Sequence, residues 1–257
     1  MAKTVLITGA SGGLGEKFAR LFAQRGYDLV LVARSREKME VLAQELARRF
    51  GVVSYVLPVD LSDREQVLSI PRFTRANGVF VDVLINNAGF GDWGAFASRD
   101  ADKQYRMVQV NIAALTDLTH AYLQEMIPAG RGRILNVASI ASFQPGPLMS
   151  VYYATKAFVL SFTEALSVEL ENTGVKVSAL CPGPTRTGFE DAAQLGRSGL
   201  FSNLHVASAE EVVRYGYQKL MEGKTVAVPG LLNKAAVLGA KFAPRALTRH
   251  VVYLIQK

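Results

Sequence analysis

The chain is predicted to fold as a single α/β domain, residues 1–257, built on a doubly wound, parallel, seven-stranded sheet with helices on both faces. Three observations carry this. Short apolar runs alternate with longer segments whose apolar residues recur three and four positions apart, the pattern of βα units. A glycine-rich turn stands directly between the first apolar run and the first helical segment. A length of 257 residues, with 49% hydrophobic and 20% charged residues and only 9 prolines, suits one large core rather than a disordered chain.

The elements follow in order. Strands are expected at Val5–Thr8, Asp28–Val32, Val53–Leu57, Val83–Asn86, Gly132–Ala138, Lys176–Cys181 and Thr225–Val228, each short and rich in β-branched or aliphatic residues. Between them, Leu14–Arg25, Arg36–Phe50, Arg64–Ala76, Asp102–Met126, Tyr152–Asn172 and Glu210–Glu222 have helical spacing. Right-handed crossovers then place a ligand site at the carboxyl ends of the strands, near the point where the strand order reverses. No solenoid repeat and no Pro/Ser-rich linker interrupts the chain. Gly183–Ser208, rich in small and polar residues, reads as a loop over the site, with 188–207 as its substrate-facing part.

Composition narrows the function classes. The lone Cys181 excludes an intramolecular disulfide framework, and His120, His205 and His250 are too scattered for a metal cluster. Ala2 and Lys3 lead at once into a strand-like run, which is not a signal-peptide pattern. No apolar run approaches the roughly 20 residues of a membrane span. The expected location is cytoplasmic, peripherally membrane-bound at most. The formal charge of +7 has no nucleic-acid motif beside it and fits a basic surface with a pocket for an anionic ligand.

The chemistry-bearing residues start with Thr8-Gly9-Ala10-Ser11-Gly12-Gly13-Leu14-Gly15. Glycines here allow a tight turn and bring backbone amides to a pyrophosphate, which also gains from the positive end of the helix dipole. Tyr152 and Lys156 are four apart on a helix and share a face. A phenol with a reference pKa of about 10 is a poor proton donor at neutral pH, and a nearby ammonium favours its phenolate. Tyr153, three residues from Lys156, could share that face. Ser139, at a strand end, can hydrogen-bond an oxygen on which charge develops. Arg34 closes the second strand with no acid beside it. A guanidinium there suits a ribose 2′-phosphate, whereas a carboxylate would suit free ribose hydroxyls; the plain alternative is an exposed arginine before a helix.

The glycine spacing resembles the TGxxxGxG pattern of the short-chain dehydrogenase/reductase family, and further family motifs recur in order. Asn86-Asn87-Ala88-Gly89 follows the fourth strand, Asn111 lies on the fourth helix, and Ser139 ends the fifth strand. Tyr152-x-x-x-Lys156 opens the next helix, and Pro182-Gly183 follows the sixth strand. The resemblance runs from Thr4 to about Thr187. It implies a Rossmann-type domain and a hydride transfer between NADP(H) and a carbonyl or alcohol. In that scheme Tyr152, rather than Tyr153, is the proton donor, Lys156 its tuner and ribose contact, and Ser139 the substrate's hydrogen-bonding partner. Asn111 would hold a water that connects Lys156 to solvent. The implied cofactor contacts are Gly9, Ser11, Gly13, Leu14, Gly15, Arg34, Asp60, Leu61, Asn87, Ala88, Gly89, Tyr152, Lys156, Pro182, Gly183, Thr185 and Thr187. Asp60 would meet the adenine, although it could equally cap the following helix. A homodimer or homotetramer built on the helices 102–126 and 152–172 is also implied.

Phe90, Trp93, Phe143, Met149, Phe189 and Phe201 lie in loops near the strand ends and suggest an apolar pocket for a hydrophobic ketone, aldehyde or 3-oxoacyl substrate. The segment Leu231–Lys257 has basic and apolar residues and no acid, with Pro244 dividing it into two short helices. It could pack as a lid or a subunit interface, or make a weak peripheral contact with an anionic membrane. Two other classes compete: a catalytically idle NADP(H)-binding redox sensor or interaction protein, against which the intact Tyr, Lys, Ser and Asn set argues, and a nucleic-acid binder. An epimerase or dehydratase would need a larger substrate domain.

Overall fold

Successive side chains leave a strand on opposite faces, and in the runs Val5–Ile7 and Leu29–Val32 both sets are apolar, so both faces of such a sheet need a cover of helices. The computed structural model describes residues 2–187 and 206–257. Among them seven strands, β1 (Thr4–Thr8), β2 (Asp28–Ala33), β3 (Ser54–Pro58), β4 (Val81–Asn86), β5 (Gly132–Val137), β6 (Val175–Leu180) and β7 (Val226–Ala227), form one sheet in the order β3-β2-β1-β4-β5-β6-β7. Every neighbouring pair is parallel, with Leu6 opposite Val30 on one side and Leu84 on the other. The order reverses between β1 and β4, which is where the expected site lies.

The helices are α1 (Gly13–Gln24), α2 (Arg36–Phe50), α3 (Arg64–Ala76), α4 (Ala101–Val108), α5 (Leu115–Met126), α6 (Ser150–Glu169), α7 (Ala209–Met221), α8 (Leu231–Phe242) and α9 (Arg245–Gln256). On one face, Val5, Ile7, Leu29 and Leu31 pack with Phe18 and Phe22 of α1 and Met39 of α2. On the other, Leu6, Val30 and Leu84 pack with Ile70 of α3 and Tyr122 of α5. Local signals set the ends: Asp63 caps α3 by accepting from the amides of Glu65 and Gln66, and Ser208 with Glu211 forms a capping box on α7.

Two expectations are corrected. The helix expected at 102–126 is broken by a π-helical turn, Gln109–Ala114, between α4 and α5. Asp60 is not the cap of α3; Asp63 is, while the Asp60 carboxylate accepts from the Ser62 amide and hydroxyl. Pro244 does divide the last segment into two helices. Of the expected loop, 188–205 lies outside the described residues. Its described ends are joined by a bridge between Thr185 and Ala207 and by the Ala207 amide donating to the Pro184 carbonyl at 3.1 Å.

Candidate active site

A cavity of about 1060 Å³ opens along the carboxyl ends of the strands, with the β1–α1 turn on its floor. This turn needs its glycines. Gly9 and Gly13 have φ of 68° and 55°, in the left-handed region, and a Cβ on Gly15 would overlap the Gly9 carbonyl oxygen. At Gly12, which lines the cavity, a Cβ would meet nothing within 4 Å, so the bare backbone faces open space. Thr8 Oγ1 accepts from the amides of Asn87 and Ala88, both at 3.0 Å, and Asn87 Nδ2 donates to the Thr8 carbonyl at 2.9 Å, which ties the β4 end to the turn. Bare glycine backbone at the start of α1, with cationic side chains beyond it, fits a phosphate-bearing dinucleotide.

At one end of the cavity stand Arg34, Ser35 and Lys38, with Asp60, Leu61 and Arg106 close by. Arg34 and Arg106, together with the Ser62 donors, hold the Asp60 carboxyl below its usual range, the Ser62 amide having the largest effect. At the other end Tyr152 lies beside Ser139, the two side chains hydrogen-bonded to each other. Ser139 Oγ also accepts from the Ala141 amide at 3.1 Å, as the cap of a 3-10 turn, Ile140–Phe143. Lys156 is buried, with its Nζ 5.8 Å from the Tyr152 ring centroid and donating to the Val137 carbonyl at 2.7 Å. Burial lowers the Lys156 pKa to about 8 and raises that of Tyr152 above its ordinary value, opposed in part by Ser139. The expected lowering of the Tyr152 pKa is not seen: burial has the largest effect, and the influence that opposes it comes from Ser139.

Of the residues singled out in the sequence, Gly9, Ser11, Gly13, Leu14, Arg34, Asp60, Leu61, Asn87, Ala88 and Gly89 line this one cavity. So do Ser139, Tyr152, Lys156, Pro182, Gly183, Thr185 and Thr187. Gly15 and Asn111 do not. Gly15 packs behind the turn, and Asn111 is buried beneath Phe90, accepting from its amide at 3.1 Å and donating to its carbonyl at 3.0 Å and to Thr155 Oγ1 at 3.0 Å. Of the expected apolar pocket residues, Phe90 and Met149 line the cavity. Trp93 packs beside Met149 and Tyr153 and donates to the Gln256 carbonyl at 3.1 Å, and Phe143 packs against Val159 and Leu160, while Phe189 and Phe201 lie outside the described residues. Tyr153 packs with Met149 and Val252, accepts from Gln256 Nε2 at 2.7 Å, and also lines the cavity.

Sequence reasoning missed Lys38 and Arg106 at the Arg34 end, and Leu232, Val252 and Ile255 over the Tyr152 end. The signal for Lys38 was its place one helical turn beyond Arg34. The apolar spacing of 231–257 carried the second signal, but it could not say what that stripe would cover. Asn86 belongs to a buried polar ladder, donating to Thr119 Oγ1 at 3.0 Å and Asn136 Oδ1 at 2.9 Å, with Asn136 donating on to Thr163 Oγ1 at 2.9 Å.

Comparison with known proteins agrees with this geometry. The sulfoacetaldehyde reductase 2 of Chromohalobacter salexigens is 39% identical over 196 residues, 74% of this chain and 75% of that protein. A short-chain dehydrogenase from Sphingobium yanoikuyae, solved in complex with NADPH, superposes with a TM-score of 0.84 at 35% identity, covering 93% of each chain. The bulky-bulky ketone specific alcohol dehydrogenase of Comamonas testosteroni superposes with a TM-score of 0.79 at 32% identity, covering 95% of this chain and 96% of that one. The model of the short chain dehydrogenase family matches residues 3–197, and with the glycine turn, the Ser139–Tyr152–Lys156 group and the sheet order already in place, the chain belongs to that family.

Proposed function

We propose that the protein is an NADP(H)-dependent reductase of a hydrophobic ketone, aldehyde or 3-oxoacyl compound, with Tyr152 as its proton donor. The observation that carries this reading is a single cavity with Arg34 and Lys38 at one end and the hydrogen-bonded Tyr152–Ser139 pair beside a buried Lys156 at the other. Arg34 and Lys38 supply two cations for a ribose 2′-phosphate, and the glycine turn supplies amides for the pyrophosphate.

A bound nicotinamide supplies the hydride. Tyr152 gives its phenolic proton to the carbonyl oxygen, so that the hydride on carbon and the proton on oxygen together make the alcohol. Ser139 Oγ, already beside the phenol, hydrogen-bonds the same oxygen as negative charge builds there. The Lys156 ammonium then faces the phenolate left behind and lowers the cost of forming it. Burial holds the Tyr152 phenol protonated but raises the cost of forming its phenolate, and the Lys156 ammonium offsets that cost. Phe90, Met149, Val252 and Ile255 give the substrate end an apolar wall, which suits a substrate with a bulky apolar body.

The test is a carbonyl panel followed by NADPH absorbance, with Tyr152→Phe alongside. The variant is expected to lose at least a factor of about 10² in kcat, the scale of general-acid catalysis, with the Kd for NADPH nearly unchanged. Retention of most of the turnover would remove Tyr152 from the chemistry. Tight NADPH binding with no turnover of any carbonyl by the unaltered protein would instead favour an idle binder.

A further inference from the structure

We propose that α8 and α9 form a docking surface for an anionic lipid bilayer and seat the mouth of the cavity against it. The charge is concentrated there: residues 231–257 hold five of the 29 Lys and Arg and none of the 22 Asp and Glu, which leaves the rest of the chain with 24 against 22. The apolar surface is concentrated in the same place. Nine of the sixteen exposed large apolar side chains among the described residues lie on these two helices or at their ends, with Leu231, Phe242 and Leu254 at 82%, 78% and 72% exposure.

The fold does not need this outer face. Thr248, Val252 and Gln256, four apart on α9, point inward, and the Trp93 and Tyr153 hydrogen bonds to Gln256 fix the helix from below. α8 has no fully buried residue. Apolar side chains interleaved with Lys234, Lys241, Arg245, Arg249 and Lys257 match a layer of acyl chains beneath anionic headgroups. A second copy on this face would bring the same five cations together with no acid to answer them, since a two-fold interface pairs a patch with itself. No helix among the described residues is long and apolar enough to cross a membrane, so the contact is interfacial. Leu232 and Ile255 are exposed on this face and also line the cavity, so an apolar path leads from the lipid side towards Tyr152. Delivery of substrate along that path rests on the reading of function above; the docking does not.

The experiment is co-sedimentation of the full chain with phosphatidylcholine vesicles, with and without about 30% phosphatidylglycerol, at low and high salt. Binding is expected to the anionic vesicles, and to weaken at least tenfold at high salt or without phosphatidylglycerol. Lys241→Glu/Arg245→Glu/Arg249→Glu and, separately, Phe242→Ser/Leu254→Ser are each expected to weaken it at least tenfold, with unchanged melting. Phe242→Trp provides a readout that needs no loss of binding: its emission shifts to the blue on anionic vesicles. Absence of binding by the unaltered chain, full binding by the Phe242/Leu254 variant, an unshifted Phe242→Trp emission, or a smaller oligomer for the Phe242/Leu254 variant in sedimentation velocity would each overturn the proposal. None of these readouts depends on catalysis, so failure of the reductase reading leaves them intact.

Discussion

At Lys156, burial sets both the chemistry and the stability. The spacing of Tyr152 and Lys156 was legible because two residues four apart on a helix share a face, but their pKa values depend on the depth of packing around them, which no spacing reports. With its pKa lowered to about 8, Lys156 loses its charge just above neutrality. In the reading proposed here kcat/KM for carbonyl reduction falls with an apparent pKa near 8; a profile flat to pH 9.5 would show that the ammonium is not needed. The same shift bears on folding. The unfolded chain binds this proton up to about pH 10.5 and the folded one only to about 8, so stability from this group rises with pH between those values, and below 8 the buried charge is a standing cost. Lys156→Met removes that cost. Its stability relative to the unaltered protein is expected to be greatest near pH 7 and to decline by about 1–3 kcal/mol by pH 10, read from paired thermal melts. At the other end of the cavity, Arg34→Ala is expected to reduce the preference for NADPH over NADH by roughly tenfold, the value of about 1.5 kcal/mol for one charged hydrogen bond. Equal Kd values for the two cofactors in the unaltered protein would refute the phosphate role.

The strands show how much an element's sequence reveals. Runs such as Val5–Ile7 and Leu29–Val32 are apolar on both faces, so their being strands between helix layers was legible, whereas their place in the strand order comes from the structure. The π-helical turn at Gln109–Ala114 did not, since one extra residue in a helical turn leaves the three-and-four apolar spacing on either side intact. That turn carries Asn111. The family resemblance implies a water held by Asn111; its carboxamide is bonded to both backbone groups of Phe90 and to Thr155 Oγ1, so the side chain braces the Gly89–Phe90 turn over the Lys156 ammonium. Asn111→Ala leaves those groups without partners and is expected to cost about 2–4 kcal/mol in chemical denaturation, with a raised KM for NADPH. An unchanged denaturation midpoint with lost turnover would point instead to a pure proton-relay role.

Among the described residues, the exposed face of α6 is an apolar surface that differs in kind from the cationic face of α8 and α9. On α6 the residues Ala154, Phe158, Ser161, Ala165 and Val168 are all exposed, at spacings of four and three, a stripe along the length of the helix that the exposed Glu164 and Glu169 flank. Phe158 stacks on Phe162 at 5.7 Å and holds a flat apolar patch at the middle of that stripe. A stripe of this spacing is what one helix presents to another at a shallow crossing angle. Unlike the α8 and α9 face, its centre carries no charge, so a second copy related by a two-fold axis can cover that centre with Glu164 and Glu169 left at the rim. We therefore expect a homodimer, or a homotetramer that contains this dimer, with α6 packed against its partner copy. Phe158→Asp/Val168→Asp places carboxylates on the stripe, away from the cavity-lining side chains, and buries them against each other in any such pair. Sedimentation velocity at micromolar concentration should then show the unaltered protein as a dimer or tetramer and the variant as a smaller species. A monomer for the unaltered protein, or the same oligomer for both, would leave the stripe without its proposed partner.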